Sequence, residues 1–346
     1  MLYPQQNAAR FCVEQNGVWD FCLSHDPQGA DIDPAAPLPG ARPMAVPGSY
    51  NDQGEDTALR DHYGWAFYQK TVTLPALCAG QRVVLRFGAV THKAKVWLDG
   101  RLIAGHTGGF LPFEADVTGL LAPGAAARLT VACDNRVDHS TLPVGNEPGQ
   151  IAFFGSDNAG IPAVEHAKAT AAPQNRPNFD FFNYAGIHRP VWLYTTPQDF
   201  VRDITLAPHN DGRLDFAVET EGEGEPELTV LDPGGAPVAR GRGRQGTLRV
   251  ADPRLWEPWP GTPELYTLEV RFGADLYRQT FGFREIRVEG TRVLLNGKPL
   301  YFKGCSKHED SAFHGRGLDP CLNVKDAGLL HWLGANAVRT SHYPYS

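Results

Sequence analysis

The sequence predicts a multidomain, mainly β protein: a jelly-roll-type β-sandwich, then an immunoglobulin-like β-sandwich, then the opening of an α/β unit. Three observations carry this reading. Short alternating strands punctuated by Pro and Gly fill roughly the first 200 residues. A second series of short strands runs from Phe200 to Glu289, and after Gly290 the pattern changes to strand, helix, strand. With 346 residues, the chain is long enough for two or three domains.

In the first unit, expected over residues 1–198, RVVLRF (82–87), KAKVWL (93–98) and ARLTVAC (127–133) show β-branched residues at period two. Asp99-Gly100 lies between two such runs and predicts a two-residue hairpin, because glycine accepts the positive φ of that turn. From Thr141 to Asp180 the pattern dissolves into Pro, Gly, Asn and Ala, as a long functional or disordered loop would.

The second unit, expected over 199–290, contains VRDITL, RLDFAVET, PELTVL, TLRV and LYTLEVRF. RGRGR (240–244) between two of them reads as a solvated loop. The third unit, expected over 291–346, opens with a hairpin turn at Asn296-Gly297 and an apolar strand over 300–302. A helix is expected over 323–333, with Val324, Ala327, Leu330 and Leu333 keeping roughly one face and Gly334 closing it. A second buried strand over 335–339 completes a βαβ unit, which implies a parallel sheet. Such a unit needs cover on both faces, so this domain reads as begun and not finished.

Composition narrows the function. A net charge of −7 with no basic block argues against nucleic acid. No run approaches the ~18 apolar residues of a spanning helix, and the N-terminus lacks the layout of a secretory signal. The six cysteines have no metal-ligand spacing and read as reduced thiols of a cytoplasmic protein. His308, Glu309 and His314 lack the spacing of a zincin helix, so no metal is expected.

The motifs MAVPGSYND, VLRFGAVTHKAKVWLDG, FEADVT, DFFNYAGIHRPVWLYTT, FKGCSKHED and NAVRTSHYPYS, in that order, resemble glycoside hydrolase family two, and within it the glucuronide-cleaving members. The similarity runs nearly end to end, interrupted between Leu142 and Asn178. It implies that the third unit is the start of a TIM barrel. It implies retaining hydrolysis of a β-glycoside, with a glucuronide as substrate and no cofactor, by an enzyme that forms homo-oligomers. That chemistry uses two carboxyl groups about 5–5.5 Å apart. In the family both are glutamates on later barrel strands, so they are expected after Ser346, with the Asn-x-Lys group that grips the glucuronate. No catalytic residue is therefore assigned within the chain, which is expected to be inactive alone. Glu309 and Asp310 stand at the active rim of a barrel, but sequence neighbours seldom flank a sugar from both sides.

The resemblance further implies that Asp180 and His342 bind the sugar, that His308 assists, and that Arg339 orients the nucleophile. Each has a plainer reading: a turn-capping carboxylate for Asp180, a strand-end histidine for His342, loop packing for His308, an unpaired cavity charge for Arg339. Phe181 and Phe182 read as core or interdomain contacts, and Tyr343 and Pro344 as shaping the strand end. Two other functions stay open: a non-catalytic β-sandwich pair binding carbohydrate or a partner, and an enzyme specific for galactosides or mannosides.

Overall fold

The computed structural model describes residues 1–145, 175, 177, 179 and 181–346. Most of the long loop expected between Thr141 and Asp180 lies outside the described residues, as does Asp180 itself.

The first unit is a sandwich of two antiparallel sheets. One has six strands, in the order Arg42–Val46, Gly17–Leu23, Trp65–Thr73, Ala126–Asp134, Lys93–Leu98, Arg101–Thr107. The other has four, in the order Cys12–Glu14, Val191–Thr196, Arg82–Phe87, Phe113–Asp116. Period-two alternation turns Phe21, Tyr68, Val96 and Val131 of the first sheet toward Leu85, Phe87 and Leu193 of the second, in one continuous core. Each fully buried side chain of this size contributes about 1.5–3 kcal/mol of transfer free energy. The hairpin expected at Asp99-Gly100 is present, with φ of 47° and 79° and Leu98 opposite Arg101. A short pair, Val90–Thr91 with Gly186–Ile187, lies at the end facing the third unit.

The second unit has its own core, built from Val201, Leu214, Phe216, Val230, Leu268, Val270 and Phe283. Three strands (Phe200–Pro208, Arg213–Glu221, Gln245–Arg249) face four (Pro237–Arg242, Glu227–Leu231, Tyr266–Phe272, Asp275–Phe281). The RGRGR stretch departs from the expected loop. Arg240 to Arg242 belong to an edge strand pairing with Glu227–Leu231, and only Gly243-Arg244 form the turn. An edge strand can expose every charged side chain and keep its ladder, which is why the composition misleads.

The two sandwiches are tied by the N-terminal arm. Cys12–Glu14 pairs with Val191–Thr196 in the first. Just before it, buried Arg10 makes a bidentate bond to Asp275 of the second, at 2.8 and 2.6 Å.

In the third unit, Gly304–Lys307 pairs in parallel with Ala337–Thr340 across the helix Pro320–Trp332. The βαβ reading holds, with shifts. The first strand sits at 304–307 rather than 300–302, and Tyr301 and Phe302 are exposed instead. The helix starts three residues earlier than expected, because Asp319 caps it by accepting from Cys321 and Leu322 N–H and Pro320 occupies the first turn. It ends in a Schellman motif, with Gly334 (φ 76°) donating to His331 O and Ala335 to Leu330 O.

The single face expected of it is not the covered one, and only Leu330 belongs to both. Val324, Ala327 and Leu333 are exposed, Leu322, Asp326 and Leu330 are half-buried, and no residue of the helix is fully buried. Three-residue steps drift around a helix by about 60° each, whereas i, i+4 spacing keeps one face, here bonded to the strand through Asp326 and Lys307 at 3.0 Å. The second strand is not buried as expected: Val338 to Thr340 are exposed, since a two-stranded sheet has too little cover packed on its faces among the described residues.

Candidate functional site

The C-terminal rim of the parallel pair meets the end of the first sandwich. The loop over 311–318 is stitched onto that sandwich by backbone. Ser49 N–H donates to His314 O, Leu318 N–H to His188 O, and Arg316 N–H to Ser49 Oγ. Gly315 permits this approach: it has φ 56°, and a Cβ there would lie 2.8 Å from Ser49 Cβ and from Tyr184 Cδ1.

Tyr343 forms the centre of the site. It is buried, stacks on Phe110 with centroids 4.7 Å apart, and meets Phe181 edge-on at 5.4 Å. Its Oη accepts from Glu309 N–H at 2.8 Å and lies 3.4 Å from His308 Nδ1. Burial pushes its phenol well above the ordinary value, so it stays neutral. Around it the structure gathers part of the expected set. His308 is half-buried, 5.5 Å from Phe181 and 5.8 Å from His342 between ring centroids. His342 is exposed on the rim. Asp180 lies outside the described residues, but Phe179 and Phe181 flank its position, and Phe181 reaches the cluster. Arg339 is exposed, and its Nη1 donates to Ser341 Oγ at 3.0 Å.

Phe181 makes the interdomain contact expected of it. Phe182 stays on the first sandwich, against Tyr184 and under the Arg60 guanidinium. Glu309 is committed to structure: its carboxylate accepts from buried Arg189 at 3.2 Å, and Arg189 also donates to Phe110 O and Pro344 O. Both ring nitrogens of His314 are engaged, one by Ser311 and one by Asp319. Among the described residues, no cluster of three His, Cys, Asp or Glu could hold a metal.

Behind the rim, two buried histidines are held neutral. Burial lowers His92 to about 4 and His188 well below the imidazole range. His188 bridges Thr91 Oγ1 and Ser49 Oγ, while His92 Nε2 donates to Asn183 Oδ1 at 2.6 Å. Sequence reasoning missed Arg189 and Arg316, and gave Tyr343 too small a part. Arg316 stands in His-Gly-Arg-Gly, where nothing distinguishes it from a solvated loop arginine.

A crevice of about 630 Å³ lies elsewhere, between the two sandwiches, walled by Tyr3, Arg82, Glu114 and Phe200. Of its lining charges, Arg82 pairs with Asp116, Glu114 with Arg86, Arg10 with Asp275 and Arg202 with Glu221.

The three units correspond to three matches. Residues 13–197 match the sugar binding domain of glycosyl hydrolases family 2, residues 199–284 the model described as glycosyl hydrolases family 2, and residues 286–346 the family's TIM barrel domain. A Paenibacillus borealis β-glucuronidase is 42% identical over 100% of this chain, which covers 57% of that protein. Among solved structures, a Faecalibacterium prausnitzii β-glucuronidase is 66% identical with a TM-score of 0.94, over 99% of this chain and 58% of that one. A Bifidobacterium dentium β-glucuronidase complexed with coumarin-3-O-glucuronide is 48% identical with a TM-score of 0.92, over 100% of this chain and 60% of that one. The chain thus spans somewhat over half the length of these relatives. Two β-sandwiches leading into a parallel βαβ rim, matched in order along nearly the whole sequence, place this chain in glycosyl hydrolase family 2.

Proposed function

We propose that the protein containing this chain is a retaining β-glucuronidase, and that these 346 residues build one wall of its sugar site. The observation that carries the reading is the convergence of three separate segments at one rim: 308–309, 342–343 and the neighbours of position 180. The β-glucuronidases matched over nearly the whole chain support the same substrate class.

In this reading His342 and His308 hydrogen-bond sugar hydroxyls, as neutral imidazoles do, and Asp180 accepts from another hydroxyl. Arg339 faces the nucleophile and holds it ionised. The acid and the nucleophile come from protein outside these residues, since Glu309 is bound by Arg189 and adjacent Asp310 cannot oppose it across a ring. The reading divides the chain at 198/199 and 290/291, in keeping with the two separate cores. It includes a homo-oligomer in the cytoplasm, where the six free cysteines would stay reduced.

The test is steady-state hydrolysis by the full-length protein of p-nitrophenyl β-D-glucuronide, β-D-galactoside and β-D-mannoside. The reading expects the glucuronide to be preferred by at least about 100-fold in kcat/KM, and His342→Ala to lower that value by roughly 10–100-fold. A preference for either other sugar rejects the specificity, and no hydrolysis of any of the three rejects the enzyme.

A further inference from the structure

Arg316 is the most unusual charge among the described residues. Only 4% of it is exposed, and its Nε and Nη2 are buried without a hydrogen-bond partner. A desolvated guanidinium normally faces a carboxylate. Two carboxylates attract it through space, Asp310 and Glu309, but among the described residues neither is hydrogen-bonded to it, and Glu309 is taken by Arg189. Arg316 instead sits among aromatic faces: Tyr343 at 4.1 Å, Phe181 at 4.6 Å, Phe110 at 5.4 Å and Tyr184 at 5.7 Å from its Cζ. These distances suit cation–π attraction, which strengthens when the cation is desolvated.

The rings come from separate segments. Phe110 belongs to a turn between two strands of the first sandwich, Phe181 and Tyr184 to the segment following position 180, and Tyr343 to the strand end that carries His342. The base of the arginine is anchored by its own N–H to Ser49 Oγ. We propose that Arg316 is a positioning residue, a cationic pin that clamps Phe181 and Tyr343 together and thereby sets the spacing of the sugar-facing groups beside them. It touches no substrate and acts through the rings. This rests on the β-glucuronidase reading for its kinetic consequence, though not for its structural one.

A purely structural arginine and a pin predict different behaviour. Removing a buried charge that makes no hydrogen-bonded ion pair relieves its desolvation cost, which offsets the cation–π attraction lost with it. A pin lost in this way leaves the fold intact and loosens the site. Sugar contacts made equally in the bound and transition states register in KM rather than kcat.

The experiment uses the full-length protein with p-nitrophenyl β-D-glucuronide and two variants. Arg316→Met is expected to raise KM by roughly 10-fold or more with kcat within about 3-fold, and to melt no lower than the parent. Arg316→Lys, which keeps the cation without the flat guanidinium, should fall between them. KM within about 2-fold of the parent for every folded variant overturns the proposal, as does a loss confined to kcat. If Arg316→Met does not fold, Arg316→Lys decides by the same criteria, and failure of both assigns the residue to stability and overturns the proposal. If the parent hydrolyses no glucuronide, the functional reading fails, and the pin is decided by NMR of protein labelled at histidine. The His308 ring resonance, lying against Phe181 and Tyr343, should move in Arg316→Met, and an unmoved resonance overturns the proposal.

Discussion

Removing Arg10 should cost this protein more than removing any exposed charge, and the structure says how much. Arg10 donates from Nε and Nη2 to both oxygens of Asp275, at 2.8 and 2.6 Å, and from Nη2 to Val201 O at 2.9 Å. Asp275 Oδ2 also accepts from Val201 N–H at 2.8 Å. The side chains are 4% and 0% exposed, so neither charge can turn to water. Arg10→Leu leaves a buried carboxylate with one remaining N–H donor, for which a loss of about 3–5 kcal/mol is expected. Asp275→Leu strands the guanidinium instead and should cost a similar amount. The double variant removes both charges, so it should cost far less than the sum, with a coupling of at least about 2 kcal/mol. Urea unfolding followed by tryptophan fluorescence measures all four corners of the cycle. A cost under about 1 kcal/mol for Arg10→Leu would refute the reasoning, as would simple additivity in the double variant.

Other consequences are as specific. His92 is held neutral in the fold with a pKa of about 4, against 6.5 when free. Its folded pKa is lowered, so unfolding takes up a proton once the pH drops below 6.5. Stability should therefore fall by about 3 kcal/mol between pH 6.5 and 4 from this group alone. His92→Phe should flatten that part of the urea-midpoint profile, and an unchanged slope contradicts the assignment. Gly315→Ala places a methyl against Ser49 and Tyr184 at a left-handed φ of 56°, and should cost at least about 1 kcal/mol from backbone conformation before the clash is counted. Hydrogen exchange should show the loop over 311–318 losing protection first, and uniform loss across the sandwich would argue otherwise. For the 346-residue polypeptide in isolation, residues from about 291 onward should exchange faster than either sandwich, given the exposure of Tyr301, Trp332 and Val338. Equal protection would contradict the exposure of this segment.

The sandwiches were legible because burial imposes a period of two. Runs such as RVVLRF and KAKVWL are strands from their first residue to their last. Turn chemistry was equally readable at Asp99-Gly100, where both residues take positive φ. The third unit was read correctly in type and poorly in placement. Leu300 to Phe302 look like a strand because they are apolar, yet pairing is decided by the partner, which lies opposite Gly304 to Lys307. Of the site, the rim motifs were visible because they are dense in histidine, tyrosine and aspartate. The supporting cluster was not. That Arg189 binds Glu309 across 120 residues, or that Arg316 collects four rings, is set by tertiary proximity and leaves no periodic trace.

The most direct measurement is a crystal structure of the full-length protein with a slowly hydrolysed glucuronide. The account predicts sugar hydroxyls within about 3 Å of His342 and of the Asp180 carboxylate, with Tyr343 and Phe181 still clamped on Arg316. A glucuronide lodged instead in the crevice between the sandwiches, leaving the 308–343 rim empty, would contradict it.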